Sequence, residues 1–252
     1  MFKDTVLQQH ILPDKSIGRF CSGDPPKVQV LLLQHEKLLP LGSKSGPFYV
    51  TRKWDEGIER DAIPFETEFQ ILADRICQDL TVLDGAHWRT INNFYAILSE
   101  RSRARYIKLP MESRLENLSP GSSLSKNELD DFERKGIFLS GDPAQIDRAV
   151  FGLAQRLSLS VAQRENPAWG IATATNREFL VSDCFHRTPR IPVSPKIYLV
   201  REDLWLDSGS KRMTEDQVVF FNQDVSREAQ QSIFARDLEN AGLVIERKPA
   251  QS

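Results

Sequence analysis

Cysteine is scarce in this chain, and its three cysteines are not spaced for a disulfide framework or a zinc site. Cys21, Cys77 and Cys184 lie far apart, none belongs to a CxxC pair, and their number is odd. Small secreted domains are instead held together by several paired cysteines. We therefore expect a protein of a reducing compartment, the cytoplasm.

Long apolar runs are also absent. Runs such as residues 30–33 stay far below the ~20 apolar residues that a membrane-spanning helix needs. The N-terminal residues contain no apolar stretch that is typical of a secretion signal. We therefore expect no membrane partner.

The chain has no excess of positive charge. Its 33 lysines and arginines face 35 acidic residues, which gives a formal net charge of -2. A protein that binds nucleic acid by neutralising phosphates usually carries a basic surface, so any such site here must be local. The one dense basic cluster is residues 101–105, where Arg101 and Arg103 are candidates to bind the phosphate of a nucleotide or nucleic acid. A solvated helix end, without a ligand, explains the same cluster.

What the sequence does contain indicates an α+β fold. With 252 residues and 40% apolar residues, the chain can bury a core, and we expect one domain over residues 1–252 with a polar loop or insert at about 109–140. The predicted architecture is a mixed or antiparallel sheet with helices packed mainly on one side. We expect the strand groups to join one sheet, and strand-like segments lie at residues 27–34, 48–51, 168–175, 178–182 and 197–200.

Helical periodicity is clearest in the middle of the chain. One helix is predicted to begin at Pro64 and to continue to about Leu80, since apolar residues recur every three or four positions. A second is predicted over 86–105. Near the C-terminus we expect helices over 216–221 and 226–240.

Several polar residues are candidates for chemistry. His10 has an unperturbed pKa near neutrality, so it is suited to act as a general acid or base or as a metal ligand. Ser182 and Asp183 follow an apolar strand, where a carboxylate could orient a histidine, bind a metal or act as a base. Glu66 would complete an acidic set.

Each candidate has a structural alternative. A histidine can simply pack and donate to a carbonyl, and an aspartate after a strand often accepts backbone N–H groups of a turn. Glu66 lies at a predicted helix start, where acids complement the helix dipole. Ser182 lacks the GxSxG context of a nucleophilic serine. A divalent metal would fit this set, but no HExxH or zinc spacing requires one.

The order of these short motifs resembles the bacterial domain-of-unknown-function family 4238. The chain carries Gln9-His10 and Pro13, then Ser182-Asp183, then Pro192-Val-Ser-Pro195, which match the family pattern QHxxP, SDxP and PLSP. Phe185 stands where the family has proline. The resemblance implies an intracellular protein of bacterial or phage origin, and it favours His10, Ser182 and Asp183 as parts of one site. It supplies no reaction.

Two functions remain open. In the first, the protein is a hydrolase that acts on a phosphate ester or nucleic acid through His10, Glu66, Ser182 and Asp183, with the arginines binding phosphate. In the second, it is a non-catalytic binding or regulatory module, with a protein or other partner, in which the same residues form a structural polar network. A sensor that binds phosphate through the arginines alone is a third alternative.

Overall fold

We analysed a computed structural model of the chain, which describes residues 8–51, 53–106, 132–133, 143–202 and 210–243. The predicted insert at 109–140 therefore lies outside the described residues, apart from the pair 132–133. The helices that we discuss are Asp14–Gly18 (α1), Glu56–Gln78 (α2), Gly85–Tyr106 (α3), Pro143–Arg164 (α4) and Glu215–Glu228 (α5). None of the described helices has the length and apolar character that crossing a lipid bilayer requires.

Strands come from both ends of the chain, so the predicted α+β class is confirmed. The strands are Gln8–His10 (β1), Val28–Leu32 (β2), Lys37–Leu41 (β3), Tyr49–Thr51 (β4), Trp169–Ala174 (β5), Val181–Ser182 (β6), Arg190–Ser194 (β7), Ile197–Arg201 (β8), Lys211–Met213 (β9) and Ser232–Ala235 (β10).

The described strands form three sheets, so the expectation of one joint sheet is wrong. β1 pairs with β4, a second sheet has the order β3-β2-β10-β6, and a third has the order β7-β8-β5-β9. All neighbours are antiparallel except β5 and β9. The second sheet places β10, from the end of the chain, between β2 and β6. This pairing places Ser182, the last residue of β6, opposite Ile233 of β10.

Two helix predictions need correction. α2 begins at Glu56 rather than at Pro64, because Asp55 caps it by accepting the N–H of Ile58 at 3.0 Å. The segment predicted as a helix over 226–240 instead ends α5 and then forms β10. A run of three apolar residues, 233–235, suits either structure, and pairing with β2 and β6 decides for the strand. The helix predicted over 86–105 is confirmed as α3.

Aromatic contacts connect the sheets to the helices. The rings of Phe69 in α2 and Phe94 in α3 stack with centroids 3.7 Å apart. In a second apolar cluster Phe179, Tyr198 and Phe221 pack edge to face, with centroids between 5.1 and 5.2 Å apart. Such pairs add about 0.5–1.5 kcal/mol each to the free energy gained from burying their area.

A buried asparagine holds α5 against the segment that leads into β6. Asn222 accepts the N–H of Leu180 at 2.9 Å and donates to the carbonyls of Glu178 and Ala241, both at 2.8 Å. The side chain therefore forms hydrogen bonds with three backbone groups that have no partner in a regular strand or helix. Its role is to close this junction.

The Asn222→Ala variant should be strongly destabilised, by about 2–4 kcal/mol, because three backbone groups lose their partner in the interior. Urea unfolding monitored by circular dichroism measures this change. The neighbouring exposed Gln223→Ala variant is the control and should stay within about 0.5 kcal/mol of the wild type. Equal stability of the two variants would contradict the assignment.

Candidate functional site

The candidate residues that the sequence indicates fall into two groups, and the last turns of α3 contact both. Arg101 faces α2 and the N-terminal strand, where it meets two glutamates. Ser102 and Tyr106 lie one turn apart on the helix and contact the segment that follows β6. One helix end therefore organises both groups.

The first group is a buried arginine between two glutamates of α2. The Arg101 side chain is 3% exposed, its Nη2 lies 2.9 Å from Glu59 Oε2, and its Nη1 lies 2.6 Å from Glu66 Oε1. Its guanidinium also lies over the ring of Trp54, 5.4 Å from the centroid, and the Trp54 indole donates to Glu59. A buried charge is tolerated only when it is paired, and this pairing locks α3 to α2.

His10 is half-buried beside this group. Its ring packs on Tyr49 with centroids 4.1 Å apart, and its Nε2 is buried without a hydrogen-bond partner among the described residues. Burial lowers the pKa of His10; the nearby Asp14 carboxylate offsets part of this effect, and the Arg101 guanidinium adds to it. The imidazole is therefore held in its neutral form.

Glu66 is also shifted towards its neutral form. Burial raises the pKa of Glu66, although the contact with Arg101 opposes the shift. His10 and Glu66 thus share one electrostatic environment, together with the arginine. For both groups burial shifts the pKa in the direction of the uncharged form.

The second group surrounds Asp183, whose carboxylate is saturated with donors. Its Oδ1 accepts the N–H of Gln230 at 3.0 Å, and its Oδ2 accepts the N–H groups of Gln231 at 2.9 Å and Ser232 at 3.0 Å. The Tyr106 hydroxyl donates to the same Oδ2. Burial, followed by the charge of Asp183, raises the pKa of Tyr106. Asp183 therefore shapes the turn that leads into β10, as the structural alternative predicts.

Ser182 is buried next to it and bonds within its own segment. Its hydroxyl donates to the carbonyl of Cys184 at 3.0 Å. The Cys184 thiol lies 3.6 Å from His186 Nδ1, but burial raises the pKa of the thiol and lowers the pKa of the imidazole. Both groups therefore favour their neutral forms, which is the opposite of an activated cysteine.

The departure from the family pattern at Phe185 has a structural reason. The backbone N–H of Phe185 donates to the hydroxyl of Ser102 in α3 at 2.9 Å. Proline has no N–H, so it could not make this bond. In this chain the hydrogen bond fixes the segment after Asp183 to α3.

The structure thus divides the candidates between two groups that share no hydrogen bond in the described part of the chain. His10, Glu66 and Arg101 belong to the first, and Ser182 and Asp183 to the second. The N-terminal segment still reaches the second group, since Ile11 and Leu12 line a cavity of about 20 Å³ together with Ser182 and Asp183. A cavity of this volume has room for about one water molecule, so the cavity beside Asp183 is too small for a substrate.

Arg103 belongs to neither group. Its side chain is 47% exposed and lies 3.8 Å from Glu100, one turn earlier on α3. Arg105, two residues on, donates to the carbonyl of Pro47 and to the Gln231 side chain. The arginines of this cluster therefore point in different directions and do not converge on one point.

Sequence reasoning missed Glu59, Trp54, Ser102 and Tyr106. The sequence did contain a signal for Glu59. Asp55 followed by acidic residues is typical of a helix N-terminus, and a helix that begins there places Glu59 in its first turn. A tyrosine or serine near a helix end gives no comparable signal. Among the described residues, no group of three or more His, Cys, Asp or Glu side chains is arranged to hold a metal ion.

Comparisons with known proteins add no identification. No protein-family model, no curated protein and no solved structure matches this chain. The resemblance to domain-of-unknown-function family 4238 therefore stays a prediction.

Replacing Asp183 with asparagine should destabilise the protein by about 2–4 kcal/mol. The variant keeps the shape of the side chain but removes the charge, and one of its atoms becomes a donor that faces N–H groups. Urea unfolding measures the change, with Asp61→Asn as the control because Asp61 is half-exposed on α2. An effect of Asp183→Asn no larger than that of the control would contradict the structural role.

His10 should make stability depend on pH in a defined direction. Its folded-state pKa lies below the ordinary value of 6.5, so its contribution is complete above 6.5 and is lost as pH falls through the folded-state pKa. A His10→Asn variant should lose less free energy of unfolding than the wild type between about pH 7.5 and about pH 5.

The matched control for this measurement is His35→Asn, because His35 is exposed. This variant should lose as much free energy of unfolding as the wild type over the same interval. If the His10→Asn variant did so as well, the buried neutral imidazole would be ruled out.

Proposed function

We propose that this chain is a non-catalytic binding module, in which the polar residues singled out by the sequence form a structural network. The observation that carries the proposal is the saturation of Asp183. Three backbone N–H groups and the Tyr106 hydroxyl use its carboxylate, and the cavity beside it has only about 20 Å³. A general base must reach the proton of a substrate, and the four donors around Asp183 and the small cavity beside it leave no room for a substrate.

The charges around Arg101 support the same proposal. Two carboxylates contact its guanidinium, which is almost fully buried. A phosphate that approached Arg101 would meet Glu59 and Glu66, and the like charges would repel it. The arginine is therefore better suited to connect α3 to α2 than to bind a phosphate.

A hydrolase acting on a phosphate ester or nucleic acid is the second candidate. The observation in its favour is the buried Nε2 of His10, which lacks a partner among the described residues, together with the raised pKa of Glu66, which like His10 interacts with Arg101. A lowered imidazole pKa and a raised carboxyl pKa are the directions of shift that suit a general base and a general acid. In this alternative a divalent metal, if used, would be bound by these residues together with others.

We also propose a cytoplasmic location and a bacterial or phage origin. Cys21, Cys77 and Cys184 are all free thiols, which suits a reducing compartment. The origin rests on the family resemblance alone.

Stability and turnover of Arg101 variants separate the two candidates. The Arg101→Met variant should lose about 3–5 kcal/mol, since it leaves two glutamates uncompensated in the interior. Adding Glu59→Gln and Glu66→Gln should recover most of this loss. The exposed Arg103→Met variant is the control and should stay within about 0.5 kcal/mol of the wild type.

The same proteins are then assayed for hydrolysis of a phosphomonoester, a phosphodiester and single-stranded nucleic acid, with and without Mg²⁺ or Mn²⁺. The binding module predicts no turnover by the wild type. Turnover that disappears in the stable triple variant and in His10→Asn would overturn the proposal in favour of the hydrolase.

A further inference from the structure

A space large enough for a ligand lies away from Arg101 and Asp183, beside α5. A cavity of about 600 Å³ opens between α5 and the sheet that contains β7, β8 and β9. Pockets that bind small molecules have volumes of about 300–1,000 Å³, so this one has the size for a ligand. The cavity is lined by one face of α5, since its helical residues recur at positions 216, 217, 220, 221 and 224.

The interior of this cavity is apolar. Val200 and Met213 are each 4% exposed and form its floor, and Phe221 is 8% exposed beside them. Phe220 lies at the mouth and is 63% exposed, which is a large exposed fraction for a phenylalanine. An apolar body placed here would cover Phe220 and remove further apolar area from water.

Arg190, the one cation among the described residues that line the cavity, is already neutralised. Arg190 Nη2 donates to Glu228 at 2.6 Å, and the Thr188 hydroxyl donates to the same glutamate. The Arg190 guanidinium also lies over the Phe221 ring, 5.3 Å from its centroid. An anionic ligand would therefore have to compete with Glu228 for Arg190.

The mouth carries two carboxylates instead. Asp224 makes an exposed pair with Arg227 at 2.9 Å, and such pairs are worth only about 0–1 kcal/mol. Asp216 is exposed in the first turn of α5 and forms no ion pair among the described residues. The charge that a ligand would meet at the mouth is therefore negative.

We propose that this cavity binds an organic cation with an apolar body, such as an aromatic or alkyl ammonium group. The apolar part fills the space over Val200, Met213 and Phe221, while the ammonium group lies between Asp216, Asp224 and the face of Phe220. Carboxylates attract the charge, and an aromatic face adds a cation–π contact of about 0.5–1 kcal/mol at an exposed site. This inference rests on the proposed binding function and names the class of ligand.

Three probes of equal shape test the ligand class by isothermal titration calorimetry at low salt. They are phenethylammonium, the neutral phenethyl alcohol and the anionic phenylacetate. We expect one molecule of phenethylammonium to bind with a Kd of about 1 mM or tighter, which is reasonable for a ligand of this size. The alcohol should bind about tenfold more weakly, phenylacetate more weakly still, and added salt should weaken only the binding of the cation.

Variants place the binding in this cavity. Asp216→Asn should remove most of the preference for the cation over the alcohol, while Phe220→Ala should weaken binding of both. Asp61→Asn changes the net charge equally but lies on α2, so it should bind the three probes like the wild type.

The outcomes distinguish this inference from the function on which it rests. Equal or tighter binding of the alcohol or phenylacetate would overturn the cationic class and leave a binding module with another ligand. Absence of binding by all three probes would overturn the assignment of this cavity, and the turnover assays of the wild type and its variants would still decide the proposed function. Binding that Asp216→Asn and Phe220→Ala leave unchanged would also overturn the assignment.

Discussion

The fold depends on one buried carboxylate. Asp183 is 6% exposed and accepts four hydrogen bonds, from the turn that precedes β10 and from Tyr106 at the end of α3. β10 is the central strand through which β2, near the start of the chain, is joined to β6. The carboxylate thus fixes a turn on which pairing between distant parts of the chain depends. A charged acceptor suits this task because its bonds to N–H groups are stronger than those of a neutral acceptor.

The other group at the same end of α3 is also held by a buried charge, but here the buried charge is positive and its partners are negative. Arg101 is a buried cation that is paired with Glu59 and Glu66 and packed on Trp54. α3 therefore fixes α2 by one charged contact and the turn after β6 by another. These charged residues hold elements of the fold together, and the apolar cavity beside α5 is the ligand site that we propose.

Sequence periodicity was enough to predict α3, because its apolar positions recur over many turns. It failed for β10, whose four residues suit a helix or a strand until β2 pairs with them. The residue types themselves indicated His10, Glu66 and Arg101, which do lie in one group, because their side chains are titratable or charged. It could not show that Tyr106 saturates Asp183, because the two are 77 positions apart and a tyrosine at a helix end carries no signal.

A double-mutant cycle between Tyr106→Phe and Asp183→Asn tests the central claim most directly. Each variant removes one partner of the buried contact, and urea unfolding of both single variants and the double variant gives the coupling free energy. A structural network predicts a coupling of about 1–3 kcal/mol, within the range measured for residues of one hydrogen-bond network. A coupling near zero, with Asp183→Asn as stable as the wild type, would contradict the account.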